Sequence, residues 1–260
     1  MRLQQQTVFI TEADSASGAA LLRRLADEGA SFIVNSPSGG GAIEAEIEHC
    51  RTIGSSILVV NLDLCASAEV SGMLEEAERQ IGPVDVLIHN ANRVEPASVE
   101  ASGEDAFFRM MNYHAKSALI CTQAVGRQMA ARRSGKIIYI GSIHAEKPTG
   151  VSFLYSISRS SIKMLSKEAA LELGRYGINV NTIEAGPLEG EIEPFRSTRS
   201  SLYDDAKYKI PSTEMGTYDD LAEAVLYLAA GASRYVNGAD LRLDGGFLLH
   251  YMDHKMNKPR

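Results

Sequence analysis

Short apolar runs recur at regular intervals along the first two thirds of the chain: Thr7-Val-Phe-Ile10, Ser31-Phe-Ile-Val34, Ile57-Leu-Val-Val60, Val84-Asp-Val-Leu-Ile88 and Lys136-Ile-Ile-Tyr-Ile140. Each is bounded by turn-forming residues and lacks a polar face, the pattern of strands buried on both sides. Between them the spacing becomes helical: Ala20 to Leu25 ahead of Gly29, Glu69 to Gln80 ahead of Gly82, and Asp105 to Arg133 ahead of Gly135, each closed by a glycine stop. Asn179 to Ile183 and Asp240 to Leu243 add two later strands.

Regular alternation of strand and helix demands right-handed crossovers, and these produce a parallel sheet covered on both faces. The predicted fold is therefore α/β: a doubly wound, Rossmann-type sheet in a three-layer α/β/α sandwich. No repeat, low-complexity tract or Pro-rich linker divides the 260 residues, so 1–260 reads as a single domain. The polar segment from Glu189 to Thr217 has no sustained periodicity at its start. It is predicted as a lid, because ligands of open sheets bind beyond the carboxyl ends of the strands.

A formal net charge of -7 removes the basic field that nucleic acid or anionic lipid would need, so neither is expected as a partner. Cys50, Cys65 and Cys121 are odd in number and dispersed, which suits reduced thiols, and the apolar run Val8 to Ile10 is too short for a signal segment. A cytoplasmic protein is expected. The histidines show no metal-ligand spacing, so no metal is expected either.

The chemistry concentrates after the fifth strand. Ser142 closes it, Tyr155 follows with twelve residues between, and Arg159 comes one helical turn later, so that Tyr155 and Arg159 share a helix face. With Asn112 from the preceding long helix, Asp63-Leu64 after the third strand, Asn90-Ala91 after the fourth, Gly186 and Leu188 after the sixth, and Leu243-Asp-Gly-Gly246 near the end, the chain resembles the short-chain dehydrogenase/reductase family. The resemblance covers almost the whole chain. It implies a catalytic set of Asn112, Ser142, Tyr155 and Arg159. It also implies a NAD or NADP site formed by Thr11, Ser17, Gly18, Asp63, Leu64, Asn90, Ala91, Gly186 and Leu188. Tyr155 would exchange a proton with an alcohol or carbonyl oxygen steered by Ser142, beside a hydride-carrying nicotinamide. A fixed cation is needed to make a phenol acidic. The family uses lysine; Arg159 would supply the charge here but stays protonated and cannot relay a proton.

The cofactor loop departs further from the family. In Thr11-Glu-Ala-Asp-Ser-Ala-Ser-Gly18 only the last of three expected glycines survives, Glu12 and Ala16 replacing the others, and Asp14 adds a second carboxylate. A carboxylate about 5 Å from a phosphate charge costs on the order of 3 kcal/mol at an effective dielectric of about 20. Ala185, Gly190 and Asn92 also replace family residues, and Asn35-Ser-Pro-Ser38 carries neither an acid for a ribose nor an arginine for a 2′-phosphate. Three readings follow. The first is an atypical NAD(P)-dependent oxidoreductase of a carbonyl or secondary alcohol. The second is a lyase similar to the halohydrin dehalogenases, which share Tyr-x-x-x-Arg and need no nucleotide. The third is a non-catalytic binding protein on the same fold. A small-molecule substrate and a homo-oligomer, dimer or tetramer, are expected, the latter through the apolar side of Ala115 to Ala131 and the run Phe247 to Met252.

Overall fold

A computed structural model of the chain describes residues 1–150, 152–190 and 209–249. Seven strands form one sheet: β1 (Thr7–Ile10), β2 (Ser31–Asn35), β3 (Ile57–Val60), β4 (Val84–His89), β5 (Gly135–Ser142), β6 (Ile178–Ala185) and β7 (Asp240–Leu243). They run in the order β3-β2-β1-β4-β5-β6-β7, and every pairing is parallel. Helices α1 (Ala16–Ala26), α2 (Glu44–Thr52), α3 (Ser67–Gln80), α4 (Glu104–Met111), α5 (Ser117–Arg132), α6 (Phe153–Leu173) and α7 (Tyr218–Ala229) cover the two faces. The predicted doubly wound sheet is the observed one. Among the described residues no helix is long and apolar enough to cross a membrane.

The continuous apolar runs follow from this layering. In β1, Val8 and Ile10 join the core under α1 and α7, whereas Phe9 joins the core under α3, α5 and α6. Ile138 and Ile140 of β5 alternate with Ile137 and Tyr139 in the same way. A strand covered on both faces leaves no polar position for alternation to reveal. The surviving glycine of the cofactor loop has a packing reason: a Cβ on Gly18 would meet the Glu12 carbonyl. Ala16, by contrast, is exposed, so its side chain costs nothing in packing.

The chain reverses direction across the sheet at β1, which pairs with β2 on one side and β4 on the other. That is the switch point where doubly wound sheets open a crevice. The predicted helix from Asp105 to Arg133 is broken there by a five-residue π-turn, Asn112–Lys116, between α4 and α5. Such widened turns often accompany functional sites. Of the segment predicted as a lid, 189–190 and 209–217 are described and the remainder lies outside the described residues, as do His250, Tyr251 and Met252 of the C-terminal run. Ile210 packs with Phe247 against Ile143, the residue directly after Ser142. All three cysteines are unpaired. Burial pushes the Cys50 thiol up to about 11 and the Cys121 thiol up to about 12.

Candidate active site

Ser142 ends β5 in register with Ala185 of β6, and its hydroxyl accepts a 3.2 Å hydrogen bond from the His144 amide, capping the short turn that leaves the strand. Tyr155 and Arg159 project together from the start of α6. The Arg159 guanidinium carbon lies 4.7 Å from the Tyr155 ring centroid, and the edge of His144 meets the same ring at 6.1 Å between centroids. The structure thus sets Arg159 against Tyr155, and Arg159 reaches the strand that Ser142 ends.

Arg159 does more than face the phenol. Although charged, it is only 1% exposed; Nη1 donates to the Ile140 carbonyl at 3.0 Å and Nη2 to the Ala91 carbonyl. It therefore ties the carboxyl end of β5 to the residues following β4. Two of its donors serve main-chain acceptors in the protein interior. The charge also shapes its neighbours. His89 is lowered to about 3 and His114 well below its ordinary value, first by burial and then by the Arg159 charge. His144 is lowered to about 4, mainly by burial. Three neutral imidazoles thus surround one fixed cation.

Asn112 lines a cavity that it shares with Asn90 and Ala91. Its side chain is exposed, and its carbonyl accepts from the Cys65 thiol at 3.1 Å. The inward position on the π-turn belongs instead to His114, which is fully buried and packs edge-on against Tyr155 at 5.7 Å between centroids. His114 Nδ1 lies 2.9 Å from Ser158 Oγ. Ser158 donates to the Tyr155 carbonyl, so the imidazole is the donor to Ser158. Sequence reasoning missed His114, but a signal was present. His114, Ala118, Cys121 and Val125 recur at spacings of four, three and four, and all are buried. Extending that stripe backwards selects His114 and leaves Asn112 off the face.

At the other end of the crevice, Thr11 Oγ1 and Asn90 exchange two bonds, 2.9 Å to the Asn90 carbonyl and 3.0 Å from its amide, joining the ends of β1 and β4. Ser15 caps α1 through the Gly18 amide. Ser17 donates to Asn90 Oδ1 and accepts from the Asn92 amide group. Both hydroxyls are therefore committed within the protein. Glu12 lines the cavity there, and its carboxylate accepts from the Asn92 amide at 3.0 Å and from the Tyr113 hydroxyl at 2.5 Å. Burial and that carboxylate hold the Tyr113 phenol above its usual range.

Asp63 accepts from the Cys65 amide in a local turn. Leu64, Asn90 and Ala91 line a cavity of about 390 Å³ together with Thr11, Glu12 and Asp14. Gly186 lies so close to Asp244 that a Cβ would clash with it. Leu188 is buried in the core beside Tyr218 and bridges to Gly216, so its side chain packs the fold. The first turn of α1 carries small residues at Ala16, Ser17 and Gly18, and its Gly18 amide is capped by Ser15.

A parallel sheet in this order, with a serine at the end of β5 and a tyrosine over a cation on α6, defines a dehydrogenase of the dinucleotide-binding class. A family model described as enoyl-(acyl carrier protein) reductase matches residues 13–248. The chain belongs to the short-chain dehydrogenase/reductase family and is an oxidoreductase of that type. It is 28% identical to 5-keto-D-gluconate 5-reductase of Escherichia coli over 95% of this chain and 97% of the relative. It is 27% identical to a 3-oxoacyl-[acyl-carrier-protein] reductase of Staphylococcus epidermidis over 94% and 99%. A gluconate 5-dehydrogenase from Burkholderia cenocepacia, solved with NADP and tartrate, superposes with a TM-score of 0.88 at 28% identity, covering 96% of this chain and 98% of its own.

Proposed function

We propose that the chain is a cytoplasmic NAD(P)-dependent oxidoreductase that interconverts a carbonyl and a secondary alcohol, with Tyr155 as acid and base. The observation that carries this reading is the Arg159 guanidinium held 4.7 Å from the Tyr155 ring, at the end of the strand that presents Ser142. In reduction Tyr155 protonates the nascent alkoxide, and in oxidation it takes the hydroxyl proton, while Ser142 positions that oxygen by hydrogen bonding. A guanidinium does not give up its proton, so the tyrosine must exchange its own with solvent or another group. His114 is a positioning residue: through Ser158 it fixes the first turn of α6 on which Tyr155 stands. A bound nicotinamide supplies or accepts the hydride. The α1 terminus, Asn90, Ala91 and Gly186 would hold it. A homo-oligomer joined along the groove between α5 and α6, lined by Leu119, Gly126, Leu165 and Leu173, belongs to the same reading.

The test is NADH and NADPH oxidation over a carbonyl panel that includes 5-keto-D-gluconate and 3-oxoacyl thioesters. Tyr155→Phe keeps the ring over Arg159 and removes the acid, so turnover should fall about a thousandfold while nucleotide affinity stays constant. A variant that keeps more than a tenth of the activity sinks the assignment. Free halide released from a vicinal halohydrin without nucleotide would replace this reading with that of a dehalogenase.

A further inference from the structure

A charge cluster outside the crevice lies between α6 and the strands at the β7 edge of the sheet. Lys163 stands one turn beyond Arg159 on α6, and its ammonium meets three carboxylates. Glu146, in the loop that follows Ser142, is one; Glu184 of β6, at 2.6 Å, and Asp240 of β7, at 3.4 Å, are the others. Arg242 of β7 also reaches Glu146, at 2.7 Å. Lys163 thus joins the helix of the tyrosine, the loop after the serine and the two strands beneath them.

The bridge is anchored from below. Glu184 is only 1% exposed, so its charge needs a fixed counter-ion. Burial pushes its carboxyl up, and Lys163 opposes that shift. Burial also works against the Lys163 charge, but Glu146, Glu184 and Asp240 together hold the ammonium above its ordinary range. From this anchor Lys163 reaches Glu146. A second tie lies beside it, where the Ser160 hydroxyl of α6 donates to the Ala145 carbonyl at 2.8 Å. Both ties fall just past His144, whose amide bonds the Ser142 hydroxyl and whose ring edge meets Tyr155. A shift of Glu146 is therefore passed on to the groups that face the phenol.

We infer that Lys163 is a positioning residue: anchored on Glu184, it holds Glu146, and with it the turn from Ser142 to His144, in place against the start of α6. The inference rests on the oxidoreductase reading above and adds to it a residue that acts through the loop. Catalysis tolerates little misplacement of its groups, so a loosened turn lowers turnover without weakening the binding of nucleotide.

The test is hydrogen exchange, read by mass spectrometry over residues 143–149 of the purified chain, paired with turnover on the carbonyl panel. Glu146→Gln removes the charge of the loop and leaves the buried Lys163–Glu184 pair whole. Exchange in 143–149 should rise about tenfold against a constant rate in α1, and kcat should fall about tenfold with the nucleotide KM held within about twofold. Lys163→Met combined with Glu184→Met removes the buried pair without stranding a charge, and both readings should move about fivefold. Lys163→Arg keeps the cation and should stay within about twofold of the parent. Lys167→Met removes the outer cation, which pairs with Asp240 at 2.9 Å, and should change neither reading. If the double variant exchanges like the parent, Arg242 and not Lys163 holds the loop, and the inference is overturned. Faster exchange with an unchanged kcat overturns it equally. A parent that turns over no carbonyl of the panel with either nucleotide overturns the oxidoreductase reading and the catalytic consequence with it, while exchange by itself still upholds or overturns the clamp.

Discussion

Arg159 and Glu12 each stand where the family keeps another residue, yet the protein accommodates them differently. Arg159 has been drawn into the interior, where it spans two main-chain carbonyls and packs over a tyrosine. Glu12 lies partly exposed at the edge of the cofactor groove, held by one amide and one phenol. A replacement that is buried becomes part of the architecture, and removing it costs hydrogen bonds in a dry environment. A replacement at a solvated edge retunes charge and little else. The two ends of one crevice should therefore fail differently when altered: the catalytic end through stability, the cofactor end through affinity.

The largest effect is expected at Arg159. Arg159→Met keeps much of the side-chain volume but strips the Ile140 and Ala91 carbonyls of their donors, at about 3 kcal/mol in total. For a chain of this size that corresponds to a melting temperature lower by about 6 °C. Arg159→Lys keeps the charge and can reach one of the two carbonyls, so it should lose about half as much. A melt of the methionine variant within about 2 °C of the parent would contradict the architectural role and leave Arg159 a purely catalytic residue.

Acid should come next, and again through the catalytic end. His89, His114 and His144 are held neutral in the folded chain by burial, whereas in the unfolded chain each titrates near 6.5. Between about 6.5 and about 4 the unfolded state therefore binds more protons than the native state, and linkage makes native stability fall as pH falls through that window. Denaturant titrations at pH 7, 6 and 5 should report uptake of about two to three protons on unfolding at the acid end. His144→Gln should flatten the curve by about one proton. A stability curve level across that range would mean that the imidazoles reach solvent.

Why some of this was legible from the residues and some was not has a physical explanation. The strands were readable because burial on both faces forces long apolar runs, and β1, β3 and β7 match their predicted bounds. Ser142, Tyr155 and Arg159 were readable because their spacing carries over directly onto one strand end and one helix face. His114 was not singled out because a π-turn adds a residue to the helical repeat, so motif order pointed to Asn112 at the cavity edge while the buried stripe continued through His114. The placing of the Glu12 carboxylate was beyond reach, because its two partners come from loops 80 and 101 residues away. The same holds for Lys163, whose partners sit on a loop and two strands that only the sheet brings together.

The smallest effects should appear at Glu12, and they test whether its partners hold the carboxylate in place. Glu12→Gln keeps an acceptor for the Asn92 amide and removes the charge, so NADH affinity should rise by about threefold, with the melting temperature unchanged within about 2 °C. Tyr113→Phe does the reverse, releasing a carboxylate that can then approach the incoming pyrophosphate, and affinity should fall about fivefold. The double variant is decisive: if Tyr113 acts only by restraining a charge, its loss should cost nothing once Glu12 is Gln, and the two single effects will not add. Additive effects would mean that Tyr113 contacts the nucleotide itself, and the cofactor end would then depend on direct packing as the catalytic end does.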